Sequence, residues 1–146
     1  MRTLILAGAV MALATPVFAQ STPEFLNSGD ASAMPFSEAV KLGDTVYLSG
    51  QIGMAPGASA LTEGGIEGES KQVMDNIKAT LEAHGMAMTD LVKCTVMLTD
   101  MAEWGAFNEV YKSYFEPGRF PARSAFGANG LALGAKVEVE CIAAAK

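Results

Sequence analysis

The chain has 146 residues, half of them hydrophobic, and a formal net charge of −6. That length suits one domain. The acidic balance argues against a nucleic-acid partner, because a phosphate backbone selects a basic face.

The first nineteen residues read as an export signal. Met1-Arg2-Thr3 is a short positive end, Leu4 to Ala14 is apolar and uncharged, and Pro16-Val17-Phe18-Ala19 ends in small residues. Cleavage is expected after Ala19. The run is shorter than the roughly 20 apolar residues that span a bilayer; a membrane anchor or a buried N-terminal helix are the alternatives. The mature chain would begin at Gln20, carry −7 after loss of Arg2, reside in the periplasm and keep no membrane attachment.

Residues 20–33 are polar and irregular and read as a flexible N-terminal segment. Residues 34–146 read as one domain. Ala39 to Leu42 and Thr45 to Ser49 are strands joined by Gly43-Asp44, a two-residue hairpin signal. Ile66, Val73, Ile77 and Leu81 fall at helical spacing, and Gly85 follows as the stop. In Leu91 to Thr99, the residues Val92, Cys94, Val96 and Leu98 alternate with more polar positions, as in a half-buried strand. Asp100-Met101-Ala102-Glu103 resembles a capping box opening a second helix that ends at Pro117-Gly118. Strands follow near Arg123 to Phe126 and Lys136 to Ala143. The order is ββαβαββ, an α+β domain with a mixed sheet and both helices on one face.

Several chemistries lack their residues. His84 is the only histidine, and it closes a helix beside a glycine, where a cation suits the helix dipole. No Ser-His-Asp triad or histidine zinc site can be built. Phosphate-loop and dinucleotide motifs are missing, so no metal or cofactor is expected. Cys94 and Cys141 sit in strand-like runs and read as two buried free thiols, although export would permit a disulfide.

Arg123 is the one charge in Phe120-Pro121-Ala122-Arg123-Ser124-Ala125-Phe126-Gly127. Within a strand it shares a face with Ala125 and Gly127, which leave space beside the guanidinium. That space suits a ligand carboxylate held by two parallel hydrogen bonds. An internal salt bridge to Glu138 or Glu140 is the equal alternative. Those two glutamates lie opposite Val137, Val139 and Cys141; they form a solvated face or supply a proton handler for water. Asn108 lies on a helix stripe with Trp104, Tyr111 and Phe115, so its amide needs a partner: a loop, Arg123 or a ligand. Ser49 has no general base beside it and reads as a strand-end hydroxyl bonded to backbone.

Together, Gly43 to Ile52 with its Ser-Gly-Gln-Ile end, Val92 to Met101, Asn108 to Tyr111, Phe120-Pro121-Ala122-Arg123-Ser124 and Val137 to Ala143 resemble the Rid family. These are the reactive intermediate deaminases, also called the YjgF or L-PSP family. The resemblance runs from about Met34 to Ala143. It implies a chorismate-mutase-like fold and a homotrimer with a central barrel and clefts between subunits. It implies hydrolysis of small 2-imino and 2-enamino acids to 2-oxo acids and ammonia. In that picture Arg123 binds the substrate carboxylate and Glu138 positions or activates water. Ser49 and Asn108 line or brace the site, Ala125 offers its backbone, and Phe36 covers the ligand. The chain departs from the family pattern at Phe36, where tyrosine is common, at Ala125, where cysteine is common, and in the loop 126–134. Other readings are a non-catalytic, ligand-binding or holdase-like trimer and, with less support, a ribonuclease.

Overall fold

The computed structural model describes residues 21–29 and 34–145. The expected signal segment lies outside the described residues. The strands are β1 (Glu24–Leu26), β2 (Ala39–Leu42), β3 (Thr45–Leu48), β4 (Gln51–Ile52), β5 (Leu91–Leu98), β6 (Ala122–Gly127) and β7 (Val137–Ala144). The helices are α1 (Gly65–Ala83) and α2 (Trp104–Lys112). The sheet runs β1-β2-β3-β7-β5-β6, with β4 also on β7. All pairs are antiparallel except β5 with β6. This is the expected α+β domain with a mixed sheet.

Both helices cover one face of the sheet. Val73, Met74, Ile77 and Leu81 of α1 are buried with Phe107 and Tyr111 of α2 against Val96, Leu98, Val137 and Val139. Each fully buried aliphatic side chain there contributes about 1.5–3 kcal/mol. Helix α1 stops as expected: Met86 N–H bonds the Leu81 carbonyl at 2.8 Å and Gly85 N–H bonds Glu82 at 3.2 Å, with Gly85 at φ +73°. That double bond is the Schellman stop, which needs a left-handed residue. The β2–β3 hairpin turns at Gly43, also left-handed at φ +60°.

Four expectations need correction. The segment 20–33 contains β1, a three-residue strand on the outer edge of β2. Val92 was expected on the buried face but is 48% exposed, because a register shift between Leu91 and Lys93 turns it outward. The capping box is only half formed: Asp100 Oδ1 accepts from Ala102 N–H at 2.8 Å, while Glu103 pairs with Lys136 Nζ at 2.9 Å. A short 3-10 turn therefore precedes α2, which ends at Lys112, several residues before Pro117.

The fourth correction is covalent. Cys94 and Cys141 form a disulfide rather than two free thiols. Both face the core, and the β5–β7 register sets them directly opposite each other, with Cα atoms 4.1 Å apart.

Candidate active site

Arg123 sits on β6, the edge of the sheet, in register with Cys94. Its side chain turns to the helix face. Nη2 donates to Asn108 Oδ1 at 2.6 Å. The guanidinium carbon lies 4.5 Å from the centre of the Tyr111 ring and 5.7 Å from that of Phe107. Asn108 and Tyr111 are neighbours one turn apart on α2, so one helix supplies both an acceptor and an aromatic bed. Burial pushes the Tyr111 phenol up, and the guanidinium draws it back down. Among the described residues no carboxylate pairs with Arg123, so the internal salt bridge to Glu138 or Glu140 is not formed. With one edge held by an amide, the rest of the planar fork is left to a ligand.

Ala125 follows two residues along the same face, in register with Val96. Its single methyl keeps the strand open beside Arg123. Beyond it the loop 126–134 exposes Phe126 and Leu133, and holds Leu133 at φ +57°.

Glu138 lies elsewhere. It is on β7, in register with Met97 of β5 and Ile52 of β4, and points to the sheet face away from the helices. Gly50 explains its seat. A Cβ added to Gly50 would come within 2.1 Å of Glu138 Oε1, so the carboxylate rests against bare backbone. Ser49, the preceding residue, donates its hydroxyl to the Ser37 carbonyl at 2.7 Å and its N–H to the Glu38 carbonyl at 3.0 Å. Its hydroxyl is satisfied by backbone, as expected. Phe36 starts this corner and is 53% exposed. Glu140 is exposed on the same face, in register with Thr95.

The six expected site residues thus form two groups. Arg123, Asn108 and Ala125 are together on the helix side. Glu138, Ser49 and Phe36 belong to the β3–β4–β7 side. Sequence reasoning missed the stacking of Tyr111 and Phe107 under Arg123. The signal was present in an aromatic stripe spaced by helix turns next to a lone arginine. It also left Gly50 without its partner, Glu138. Among the described residues there is no cluster of His, Cys, Asp or Glu able to hold a metal ion.

A small α+β domain with an amide-held arginine at one sheet edge, and a carboxylate on bare glycine backbone on the other face, defines an L-PSP-type protein. The profile of the family described as Endoribonuclease L-PSP matches residues 28–145. The chain belongs to that family, also known as RidA/YjgF. It is 42% identical over 113 residues to the mouse 2-iminobutanoate/2-iminopropanoate deaminase, covering 77% of this chain and 83% of that one. The human protein of the same name is 42% identical over 109 residues, covering 75% and 79%. RidA from the Antarctic bacterium Psychrobacter sp. PAMC 21119 superposes with a TM-score of 0.73 at 36% identity, covering 87% of this chain and 99% of that one.

Proposed function

We propose that the protein hydrolyses small 2-imino acids, and their 2-enamino tautomers, to 2-oxo acids and ammonia. One observation carries this reading: Arg123 is fixed by Asn108 and Tyr111, with no carboxylate among the described residues as partner. A planar cation held this way suits the carboxylate of an amino-acid-derived substrate. The relatives named as imine deaminases support the same chemistry.

The reaction needs little beyond orientation. The substrate carboxylate docks on Arg123, and its C=N carbon is already electrophilic. Glu138 accepts a proton from water as the oxygen bonds to that carbon. The protonated Glu138 returns that proton to nitrogen, giving the carbinolamine; the hydroxyl proton then passes through the same carboxylate to the amine, which leaves as ammonia as the C=O forms. Holding water and imine together supplies much of the rate.

Within one chain Arg123 and Glu138 face opposite sides of the sheet. The reading therefore places the cleft between copies, with Arg123 from one and Glu138 from another, in the homotrimer that the resemblance implies. The uncovered sheet face supports such assembly: Tyr47 and Phe126 are about half exposed there, beside Met97 and Ile142. We further propose that the chain is exported to the periplasm. The N-terminal composition and a core disulfide both suit an oxidising compartment. N-terminal sequencing of the protein from a periplasmic extract tests this, with Gln20 expected first.

The function is tested by generating 2-iminopropanoate and 2-iminobutanoate with an amino-acid oxidase in the presence of semicarbazide. Wild-type protein should suppress semicarbazone formation, and Arg123→Ala should not. A folded trimer that binds 2-oxo acids without any suppression would instead establish the binding-protein reading. The net charge of −6 argues against ribonuclease activity, which draws on a basic surface.

A further inference from the structure

His84 ends α1 in a setting that the deaminase chemistry does not use. Its side chain is only 14% exposed, and its buried Nε2 has no hydrogen-bond partner among the described residues. An opposite charge, Glu38 Oε2, lies 3.6 Å away, too long for a hydrogen bond but within ion-pair reach. The histidine lines a partly open cavity of about 250 Å³ between β1, β2, β3, the turn after α1 and the end of β7. The other charged groups around it are Glu24 of β1, Lys41 of β2 and Asp90 after α1. Glu24 and Lys41 are cross-strand partners, and Asp90 accepts from Ala87 N–H at 2.9 Å.

Glu38 is a junction. Its carboxylate accepts from Ser28 Oγ at 2.7 and 2.9 Å and from Ser28 N–H at 3.1 Å. Its backbone N–H donates to Asn27 Oδ1 at 3.1 Å, and its carbonyl accepts from Ser49 N–H at 3.0 Å. One residue thus ties the chain after β1 to the strand end that carries Ser49. Ser37, next to it, receives the Ser49 hydroxyl. Whatever fixes Glu38 fixes the Phe36–Glu38 segment and the Ser49–Gly50 corner against which Glu138 rests.

We propose that His84 and Glu38 form a pH-responsive tether that positions this corner of the site. The importance of the corner rests on the proposed function; the tether itself does not. Histidine is the side chain whose charge changes near neutral pH. As imidazolium, His84 attracts the Glu38 carboxylate and also suits the negative end of α1. As neutral imidazole it offers Glu38 no charge, and among the described residues the carboxylate is then held by Ser28. The tether is engaged when the imidazole carries its proton and released as the pH rises and the proton leaves.

Amide hydrogen exchange by NMR on the mature chain tests this, with each rate divided by the intrinsic rate at that pH. Protection of the Ser28 and Ser49 amides should be about tenfold greater at pH 5.5 than at pH 8 in wild type. It should be equal at both pH values in His84→Gln and in Glu38→Gln, which keep the shapes and remove the charges. The double variant should match either single one. Imine-hydrolysis kinetics add a second readout: His84→Gln should raise KM several-fold at pH 5.5 and leave it unchanged at pH 8. Protection that is pH-independent in wild type, or losses that add in the double variant, would overturn the tether. An unchanged KM at pH 5.5 would overturn its positioning role. A wild type that hydrolyses no imine would sink the proposed function while the exchange data still decided the tether.

Discussion

Arg123 and Glu138, the two residues on which the chemistry is proposed to turn, stand on opposite faces of one sheet. Their strands lie close together, with β5 alone between β6 and β7. What divides them is side-chain direction, since Arg123 joins the helix side and Glu138 the uncovered side. Two inactive variants should therefore complement each other. Arg123→Ala and Glu138→Ala chains, unfolded together and refolded as a mixture, should regain roughly a quarter of the wild-type sites in random assembly. Separate refolding followed by mixing without subunit exchange should give none. Turnover that stays absent in the co-refolded mixture would refute the shared cleft.

The bond between Arg123 and Asn108 should show in substrate binding. Asn108→Ala removes the acceptor that holds one edge of the guanidinium. A hydrogen bond to a charged group is worth about 1.5–3 kcal/mol, so KM should rise about tenfold or more. The melting temperature should change little, because Tyr111 still lies under the arginine. Steady-state kinetics and thermal unfolding together check the split.

Gly50→Ala and Gly53→Ala should fail differently. The new methyl at Gly50 meets the far end of the Glu138 side chain, which can swing away. Stability should survive, while kcat falls by about tenfold to a hundredfold from a misplaced carboxylate. At Gly53 the methyl would lie 2.6 Å from Glu69 Cα, which is backbone and cannot step aside. That variant should lose about 1–3 kcal/mol of stability, read as a shift in denaturant midpoint.

The disulfide closes a span of 47 residues between β5 and β7. Cys94→Ala with Cys141→Ala should lower stability by about 2–4 kcal/mol, mainly by freeing the unfolded chain. Denaturant unfolding of both proteins measures it.

Asp75 and Tyr114 predict an acid limb. Burial pushes the Asp75 carboxyl up, but hydrogen bonds from Lys71 and Tyr114 outweigh it and hold the group below the usual carboxylate range. Burial and the bond to Asp75 raise Tyr114 in turn. A carboxyl depressed in the folded state adds stability above its unfolded titration, and that stability is lost as pH falls through the folded one. Tyr114→Phe should melt lower than wild type at pH 7. The gap should close as the pH drops below about 4. A gap that is the same at pH 7 and pH 3 would show that the bond is not linked to the carboxylate charge.

Local pattern made most of the fold legible. The alternation of Cys94, Val96 and Leu98, the stripe of Ile66, Val73, Ile77 and Leu81, and the Gly43 and Gly85 turns are all set by neighbours in sequence. What escaped depends on distant strands. The exposure of Val92 follows from a bulge opposite β7, and β1 exists because β2 offers an edge to a short polar segment. The half-formed box at Asp100 reflects Lys136, a residue 33 positions past Glu103, competing for its carboxylate. Cys94 and Cys141 were legible as core residues, but only the β5–β7 register makes them partners. The candidate site divides the same way. Asn108 and Tyr111 announce themselves by helix spacing, whereas the separation of Arg123 from Glu138 needs the sheet order and the face that α2 covers.

The cystine has one more consequence. The strand register already brings the two sulfurs together, so a chain folded among reductants would differ from one folded among oxidants by two hydrogen atoms and little else. Intact mass spectrometry resolves that difference. The weight of the purified protein therefore records the surroundings in which it folded, and material taken from its native cell carries a travel history that material from a bacterial expression host does not share.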